Sequence, residues 1–448
     1  MSTKGPQGLK RDVGIGVAAT VTIGLIIGSG IFRVPATVAA QLGSVSAILV
    51  VWVVGGLVTL CLAICLAELA TAFPSAGGLY VYLREAYGPA LAFVFGWTFL
   101  LVNPAMWAAI ALIFAEYLGQ FMPLSPMAQR FVASGLILTV SAVNFRSVRL
   151  AGLVQGIATS AKVLALAAVA GVLLLAGSRA HGSLVAGVTA TGVSSKEVVF
   201  AVVAVLWSYE GVAAACALAG EVRNPGRTLP RALILGVLAV VALYLLINLA
   251  YLYVLPMSVL GASPFVAADA MRAVAGESGA AAIAACVVVS TFGALASTAL
   301  VDPRVFYAMA CDRLFFAAIG KAHPRFQTPH RAVVISAALG CGYVWIRSFE
   351  ELAAQFVLGM WPFYALAVFG AMRLRRTRPQ LERPYRVLGY PLTPVIFLVA
   401  ALLLIGCSLI ELPGVTLLNF AVAAIGFPVY WLWQRPAKAG RALDSGRA

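Results

Sequence analysis

Charged residues are scarce in this chain of 448 residues: they make up 10% of it, only 16 are acidic, and 62% of all residues are hydrophobic. A soluble domain carries about 25% charged residues, so this composition excludes an ordinary soluble protein. Apolar runs long enough to cross a bilayer as helices recur from end to end. Segments of alternating polarity at ~10-residue spacing, which are typical of an outer-membrane barrel, are absent. The sequence therefore predicts an all-α integral membrane protein.

Histidine and cysteine are also few, which bears on metal sites and on catalysis. The three histidines lie in predicted loops, and the seven cysteines fall in or beside predicted spans. Cys61 and Cys65 share one helix face, which is more typical of packing than of a metal site. No nucleophile–base pair or phosphate-binding loop emerges either. We therefore expect no metal, no other cofactor and no enzymatic activity.

The apolar runs divide into about twelve predicted transmembrane helices joined by short loops. The first of them is too long for a signal peptide and lacks a small-residue cleavage site. The spans are predicted at roughly 13–40, 45–73, 90–121, 127–145, 150–176, 197–220, 230–255, 279–303, 331–348, 351–372, 391–410 and 414–433.

The net charge of +15 follows the predicted loops. Most of the 31 Lys and Arg residues fall at the two termini and in the even-numbered connections. By the positive-inside rule, both termini lie in the cytoplasm and the chain is a multi-pass protein of the plasma (cytoplasmic) membrane. The basic residues then reflect topology, so we expect a lipid bilayer around the chain and no nucleic-acid partner. The opposite side holds only Arg130, Arg179, Lys196, Arg272 and Arg347.

Two polar, glycine-containing breaks interrupt apolar spans, at Gly28-Ser29-Gly30 and at Ser208-Tyr209-Glu210-Gly211. Backbone that leaves helical geometry at bilayer depth is tolerated only where it is buried in protein or lines a cavity. The amides freed at the first break, from Ile31 onward, form a helix N-terminus, which favours an anion. Breaks in corresponding positions of two halves indicate an inverted-repeat transporter with its site near the midplane. Glu210 is a ligand for a cationic group, a proton carrier or a cap for loose backbone.

Two further cationic residues lie inside predicted spans. Lys162 lies ~18 Å along the fifth span, too deep to reach the interface easily, which favours a functional role. Ser290 and Ser297, on one face of the eighth span, are predicted partners for its ammonium. Arg33, just past the first break, is either a snorkelling charge or an outer gate paired with an acid.

Several motifs, in order along the chain, resemble those of the amino acid–polyamine–organocation (APC) superfamily. Within it, the sequence is most similar to the L-type amino acid transporter branch. The superfamily motifs are Gly28-Ser29-Gly30-Ile31-Phe32, Glu68-Leu69-Ala70, Phe73-Pro74, Gly77-Gly78, Tyr80-Val81-Tyr82, Gly88-Pro89 and Glu221 with Asn224-Pro225. The branch-specific positions are Pro104, Tyr117, Gln155, Lys162 and Arg383-Pro384-Tyr385.

The resemblance implies a leucine-transporter-like fold, a 5+5 inverted repeat followed by two C-terminal helices. The repeats then cover 13–176 and 197–372, the last two helices lie within 391–433, and 1–12 and 434–448 are cytoplasmic termini. It also implies substrate-binding roles. Amides around Ser29, Gly30 and Ile31 would bind the substrate carboxylate, and carbonyls of the first break and of residues 207–210 would bind its α-ammonium. Trp207 matches the aromatic gate, and Lys162 matches a lysine that occupies the space of a sodium ion.

These correspondences predict sodium-independent transport of L-amino acids by alternating access, as an exchanger (antiporter). The alternatives are a proton-coupled amino acid symporter and an amino acid sensor that does not transport. Small residues after the second break, Gly211 and Ala213 to Ala215, favour a neutral substrate side chain. The loop at 119–129 lacks the cysteine through which animal members bond a single-span partner, so we expect no disulfide-linked ancillary subunit.

Overall fold

A computed structural model describes residues 13–146, 148–176, 193–315 and 330–445 of the chain. Within these ranges the chain forms α-helices, a short 3₁₀ segment at Cys216–Glu221 and a single isolated β-bridge between Val13 and Val222. The helices are α1 Ile15–Ile26, α2 Gly30–Leu42, α3 Val45–Ala72, α4 Leu79–Tyr87, α5 Pro89–Leu118, α6 Pro126–Arg146, α7 Val148–Ala176, α8 Ser195–Ser208, α9 Val212–Ala215, α10 Pro225–Val254, α11 Met257–Ala262, α12 Val266–Val301, α13 Pro303–Cys311, α14 His330–Ile346, α15 Phe349–Thr377, α16 Leu392–Glu411 and α17 Pro413–Ser445.

The helices confirm the prediction of about twelve spans. Eleven helical segments of the described residues are long and apolar enough to cross a membrane, with α1 and α2 counted as one segment. Helix α14, with 17 residues, is shorter and corresponds to the predicted ninth span. Helix α17 continues to Ser445, beyond the predicted end of the last span at 433, through Ala, Arg and Leu residues that favour helix.

Local sequence explains where several of these helices begin. Helices α8 and α15 each start at a capping box, in which a serine side chain accepts from the backbone three residues on and a glutamate reaches back. The pairs are Ser194 with Glu197 and Ser348 with Glu351. Helix α10 opens with Pro225 in its first turn, where proline costs no hydrogen bond.

Packing between helices reproduces the two-fold relation expected of an inverted repeat. The first five spans are α1/α2, α3, α5, α6 and α7, and the second five are α8/α9, α10, α12, α14 and α15. Corresponding helices of the two halves pack on each other, α3 on α10, α5 on α12 and α6 on α14. The contact of α7 with α12 is likewise matched by the contact of α15 with α5. The fold therefore agrees with the predicted 5+5 arrangement, with α16 and α17 following it.

The periphery of the bundle is apolar, as a lipid-facing surface requires. Large hydrophobic side chains such as Leu57, Leu164, Leu175, Leu402 and Ile410 are exposed on the outside. Buried polar side chains, by contrast, lie inside the bundle, among them Lys162, Glu210 and Asp302. The interior of the bundle therefore contains the buried polar groups. We call the end of the bundle where α15 begins the Glu350 end, and the opposite end, where α3 ends, the Glu68 end.

Candidate substrate site

The first break separates α1 from α2 and leaves backbone amides without partners. The amide of Gly28 donates to the carbonyl of Ile26 (2.8 Å), and the amide of Phe32 donates to that of Ser29 (3.2 Å). In the described part of the chain, no acceptor faces the amides of Ser29, Gly30 and Ile31. Three free N–H groups at a helix N-terminus form a site for a carboxylate.

The second break lies directly against the first. Helix α8 ends at Ser208, and a Cβ added to Gly30 would lie 2.5 Å from the Ser208 hydroxyl and 2.8 Å from its Cα. Gly211 has φ +122°, and a Cβ there would lie 2.6 Å from the carbonyl of Leu25. Only glycine allows both approaches, since any side chain would drive the two backbones apart. The end of α8 therefore lies directly beside the start of α2.

Lys162 holds the first break in place from α7. Its ammonium is buried (3% exposed) and donates to the carbonyl of Gly24 (2.7 Å) and to that of Ile27. Tyr244 from α10 donates to the neighbouring carbonyl of Ile26 (3.2 Å). The ammonium thus satisfies carbonyls that the end of α1 would otherwise leave unpaired at bilayer depth.

The two serines predicted as partners of Lys162 do not fill that role. Ser297 donates to the carbonyl of Gly293 (2.7 Å), one turn earlier on α12. The Ser290 hydroxyl is buried and has no hydrogen-bond partner in the described residues. The Lys162 ammonium donates both of its hydrogen bonds to backbone carbonyls at the end of α1 instead.

The two aromatic residues at the second break, Trp207 and Tyr209, point in different directions. Trp207 packs edge-on against Phe349 and Phe356 of α15, with ring centroids 5.9 and 5.7 Å away, toward the Glu350 end. Tyr209 instead turns into the interface with α3 and donates to the carbonyl of Trp52 (3.1 Å). The side chain of Tyr209 is therefore part of the core, and only its backbone carbonyl is available to a ligand.

A small cavity opens beside the second break, on its Glu68 side, and two buried carboxylates line it. Its volume is about 50 Å³. Glu210 accepts from Trp361 (3.3 Å) on one oxygen and from Tyr364 (2.9 Å) on the other. Most of the remaining lining is apolar, and its large side chains on α5 and α15 are Phe95, Phe99, Met106, Phe356 and Met360.

Asp302, at the end of α12, is the second carboxylate of this cavity and was not singled out from the sequence. One of its oxygens, Oδ2, accepts from Asn103 (2.6 Å) and from Trp107 (2.8 Å), both on α5. Asp302 is 3% exposed. The available sequence signal for Asp302 was an acid directly before a proline at the end of an apolar span. Its hydrogen-bond partners could not be predicted, because they lie on another helix.

Arg33 lies at the centre of a polar cluster near the Glu350 end. It donates to Glu350 of α15 (3.1 Å) and to the carbonyl of Pro264 (3.3 Å), and it lies 3.8 Å from Glu116 of α5. The three charged side chains are 21%, 43% and 25% exposed, respectively. Arg33 therefore joins α2 to two other helices, so it is paired with acids and does not simply extend toward an interface.

The Glu68 end is closed by several ion pairs. Glu68 is buried and is bound by Arg375, by Arg383 (3.4 Å) and by the amide of Val387 (2.7 Å). Arg304 pairs with Glu221 at 2.9 Å. In this structure, both ends of the pathway are therefore bridged.

A further carboxylate at the Glu68 end lies on α4, outside the spans. Burial alone would raise the pKa of Glu85, but hydrogen bonds from Arg378 (2.8 Å) and Arg84 (3.0 Å) outweigh it and hold that pKa below its usual range. Glu85 therefore stays ionised and ties α4 to the end of α15.

Comparison with known proteins agrees with this geometry. The profile of the amino acid permease family matches residues 17–432. The serine/threonine exchanger SteT of Bacillus subtilis (strain 168) is 30% identical over 431 residues, 95% of this chain and 97% of SteT. The b(0,+)-type amino acid transporter 1 of Mus musculus is 32% identical over 418 residues, covering 91% and 84%.

A third relative, the large neutral amino acids transporter small subunit 2 of Homo sapiens, is 29% identical over 453 residues, covering 97% of this chain and 83% of the relative. The family profile spans both breaks, and each of the three alignments covers at least 91% of this chain. The chain therefore belongs to the amino acid permease family, in the APC superfamily of amino acid transporters.

Proposed function

We propose that this protein exchanges L-amino acids across the membrane by alternating access, without sodium. The observation that carries the proposal is the contact between the two breaks. It places the free amides at the start of α2 directly beside Ser208 at the end of α8, where the last carbonyls of a helix lack helical partners. An α-amino acid carries an anion and a cation on one carbon, so its carboxylate fits the amides and its ammonium fits the carbonyls.

Sodium independence is supported by Lys162. Its ammonium is buried against the carbonyls of Gly24 and Ile27, which are the kind of acceptors that would coordinate a sodium ion in an unwound helix. A fixed cation in this space leaves no reason for sodium to bind. It also suits an exchanger, because the carrier then changes sides in both directions with an amino acid bound and couples to no ion.

Alternating access requires a closure on each side of the substrate site, and each side has candidate residues for it. We assign the Arg33 cluster and Trp207 as gates on the outer side, and the ion pairs of Glu68 and Glu221 as the inner closure. The positive-inside rule supports this orientation and, with it, cytoplasmic termini in a plasma membrane. Arg33 pairs are partly exposed, so each stabilises the closed state by only about 0–1 kcal/mol, which suits a gate that opens often.

The protein is proposed to act without a disulfide-linked ancillary subunit. The loop between α5 and α6 contains no cysteine, whereas the human relative is named as a small subunit. Among the described residues, Cys311 and Cys407 are exposed. Migration of the membrane-extracted protein at its own mass on a non-reducing gel supports the proposal, and a larger covalent species contradicts it.

Transport itself is tested against the sensor alternative by uptake. The purified protein is placed in liposomes preloaded with unlabelled amino acid, and entry of radiolabelled amino acid is followed. We expect time-dependent, saturable uptake that empty liposomes do not show. Binding that stabilises the protein against heat without any uptake would instead identify a sensor.

A further inference from the structure

The two carboxylates of the cavity beside the second break, Glu210 and Asp302, have no cation of their own. No Lys, Arg or His lines the cavity in the described residues. The nearest basic residue along the chain, Arg304, is held by Glu221 (2.9 Å), and Lys162 is held by carbonyls of α1. Carboxylates removed from water are costly unless a cation or a proton compensates them.

The hydrogen bonds around these acids favour a cation over a proton. Indole and amide N–H groups can only donate, and both partners of Asp302, Asn103 and Trp107, donate to the same oxygen. A proton on Asp302 would have to lie on Oδ1, which has no hydrogen-bond partner in the described chain. Glu210 accepts the indole N–H of Trp361 on one oxygen and contacts the Tyr364 hydroxyl with the other. These donors stabilise the ionised form of both carboxylates.

The apolar part of the lining indicates what carries the compensating charge. Phe99 and Met106 of α5 and Phe356 and Met360 of α15 line the same cavity as the two acids, together with Leu25 and Gly211 beside the breaks. Such a surface packs well against a hydrocarbon chain, and aromatic faces also attract a cation. The cavity of about 50 Å³ has room for roughly three to five water-sized groups, enough for a cationic head group.

We infer that the substrate is an L-amino acid with a long basic side chain, whose cationic end binds between Glu210 and Asp302. The inference rests on the proposed function, which places the α-carboxylate and α-ammonium at the breaks. The hydrocarbon part of the side chain then runs along the apolar lining, and Asp302 determines specificity together with Glu210. A basic substrate side chain replaces the neutral one that the small residues after the second break favoured. That prediction did not include the charge of Asp302.

The test compares two ligands that differ only at the end of the side chain. L-norleucine has the hydrocarbon chain of L-lysine and lacks its terminal ammonium. Both are measured with the purified full-length protein, by thermal stabilisation and by uptake into preloaded liposomes. We expect L-lysine to bind at least ten-fold more tightly than L-norleucine. Equal binding, or tighter binding of L-norleucine, overturns the inference and needs no variant.

Substitutions then assign the effect to the acids. Asp302→Asn and Glu210→Gln keep the size of each side chain and remove its charge. Each should lower L-lysine uptake at least ten-fold while L-norleucine uptake stays level or rises. Glu277→Gln, a matched change at an exposed acid of α12, should alter neither. An equal loss of both substrates in Asp302→Asn, in protein that is folded by thermal unfolding, contradicts a role in specificity.

Two further outcomes distinguish a failure of this inference from a failure of the proposed function. Uptake of neutral amino acids alone, driven by a pH gradient and lost in Asp302→Asn, would show that the acids carry a proton, and this overturns the inference but leaves amino acid transport intact. Absence of binding and uptake for all twenty amino acids would overturn the proposed function itself.

Discussion

At the scale of single residues, the proposed site rests on two positions where a side chain is excluded and on one buried charge. Gly30 and Gly211 let two unwound segments touch, and Lys162 ties the end of α1 to α7. The sequence made these residues predictable, because a polar, glycine-containing break and a charge inside an apolar stretch are both unusual. It did not reveal that the Tyr209 side chain packs away from the site, or that Lys162 donates to backbone carbonyls and not to serine hydroxyls. Both contacts depend on which groups the fold brings close together.

Gly30→Val should abolish amino acid binding while the protein still inserts and folds. The added Cβ would lie 2.5 Å from the Ser208 hydroxyl, so the breaks must separate and the amide site is lost. Binding is measured by thermal shift on purified protein. Gly171→Val is the control, since a Cβ at Gly171 meets nothing within 4 Å. Ordinary affinity in Gly30→Val would show that the site lies elsewhere.

Lys162→Ala should weaken substrate binding about ten- to hundred-fold. Charge-assisted hydrogen bonds to buried acceptors contribute about 1.5–3 kcal/mol, and the freed carbonyls of Gly24 and Ile27 would leave α1 poorly fixed. Remaining exchange should stay independent of a pH gradient. Lys196→Ala, at the start of α8, is the control for loss of a lysine. If the unmodified protein concentrates substrate on a proton gradient and Lys162→Ala cannot, Lys162 is a proton carrier and the fixed-cation role is wrong.

At the scale of elements, the breaks divide two spans into half-helices. The backbone of Val13, just before α1, bonds to Glu221 and Arg223, so α1 and the segment after α9 are joined at the Glu68 end. Helix α2 is joined to α15 through Arg33 and Glu350 at the other end. The positions of the breaks were predictable from composition, whereas these connections were not, because each joins residues more than two hundred positions apart. The alternatives left open for Arg33 could be narrowed only by the structure.

Arg33→Ala should shift the protein toward a state open at the Glu350 end. Loss of the pairs with Glu350 and Glu116 removes about 1 kcal/mol from the closed state, which changes the ratio of states about five-fold. A cysteine placed at Phe356 should then react faster with a membrane-impermeant thiol reagent added outside. Arg347→Ala, whose contact with Glu351 is longer at 3.9 Å, should leave the reaction rate unchanged. An unchanged rate in Arg33→Ala would leave Arg33 as a surface ion pair without a gating role.

At the scale of the whole molecule, the two repeats pack corresponding helices on each other and set both breaks at their interface. Hydropathy was sufficient to predict the number of spans, and motif order was sufficient to predict the repeat. The cavity with Glu210 and Asp302 could not be predicted, because it exists only where α5, α12 and α15 converge. A single acid in a sequence does not show whether another acid lies across from it.

The central claim, sodium-independent exchange, is tested most directly by counter-transport in liposomes. The purified protein is reconstituted, and the amino acid that most stabilises it against heat is supplied with a radiolabel, in choline buffer at equal pH on both sides. We predict rapid uptake only when unlabelled amino acid is present inside, at a rate that replacing choline by sodium does not change. Accumulation in liposomes without internal amino acid, driven by a sodium or proton gradient, would contradict the account.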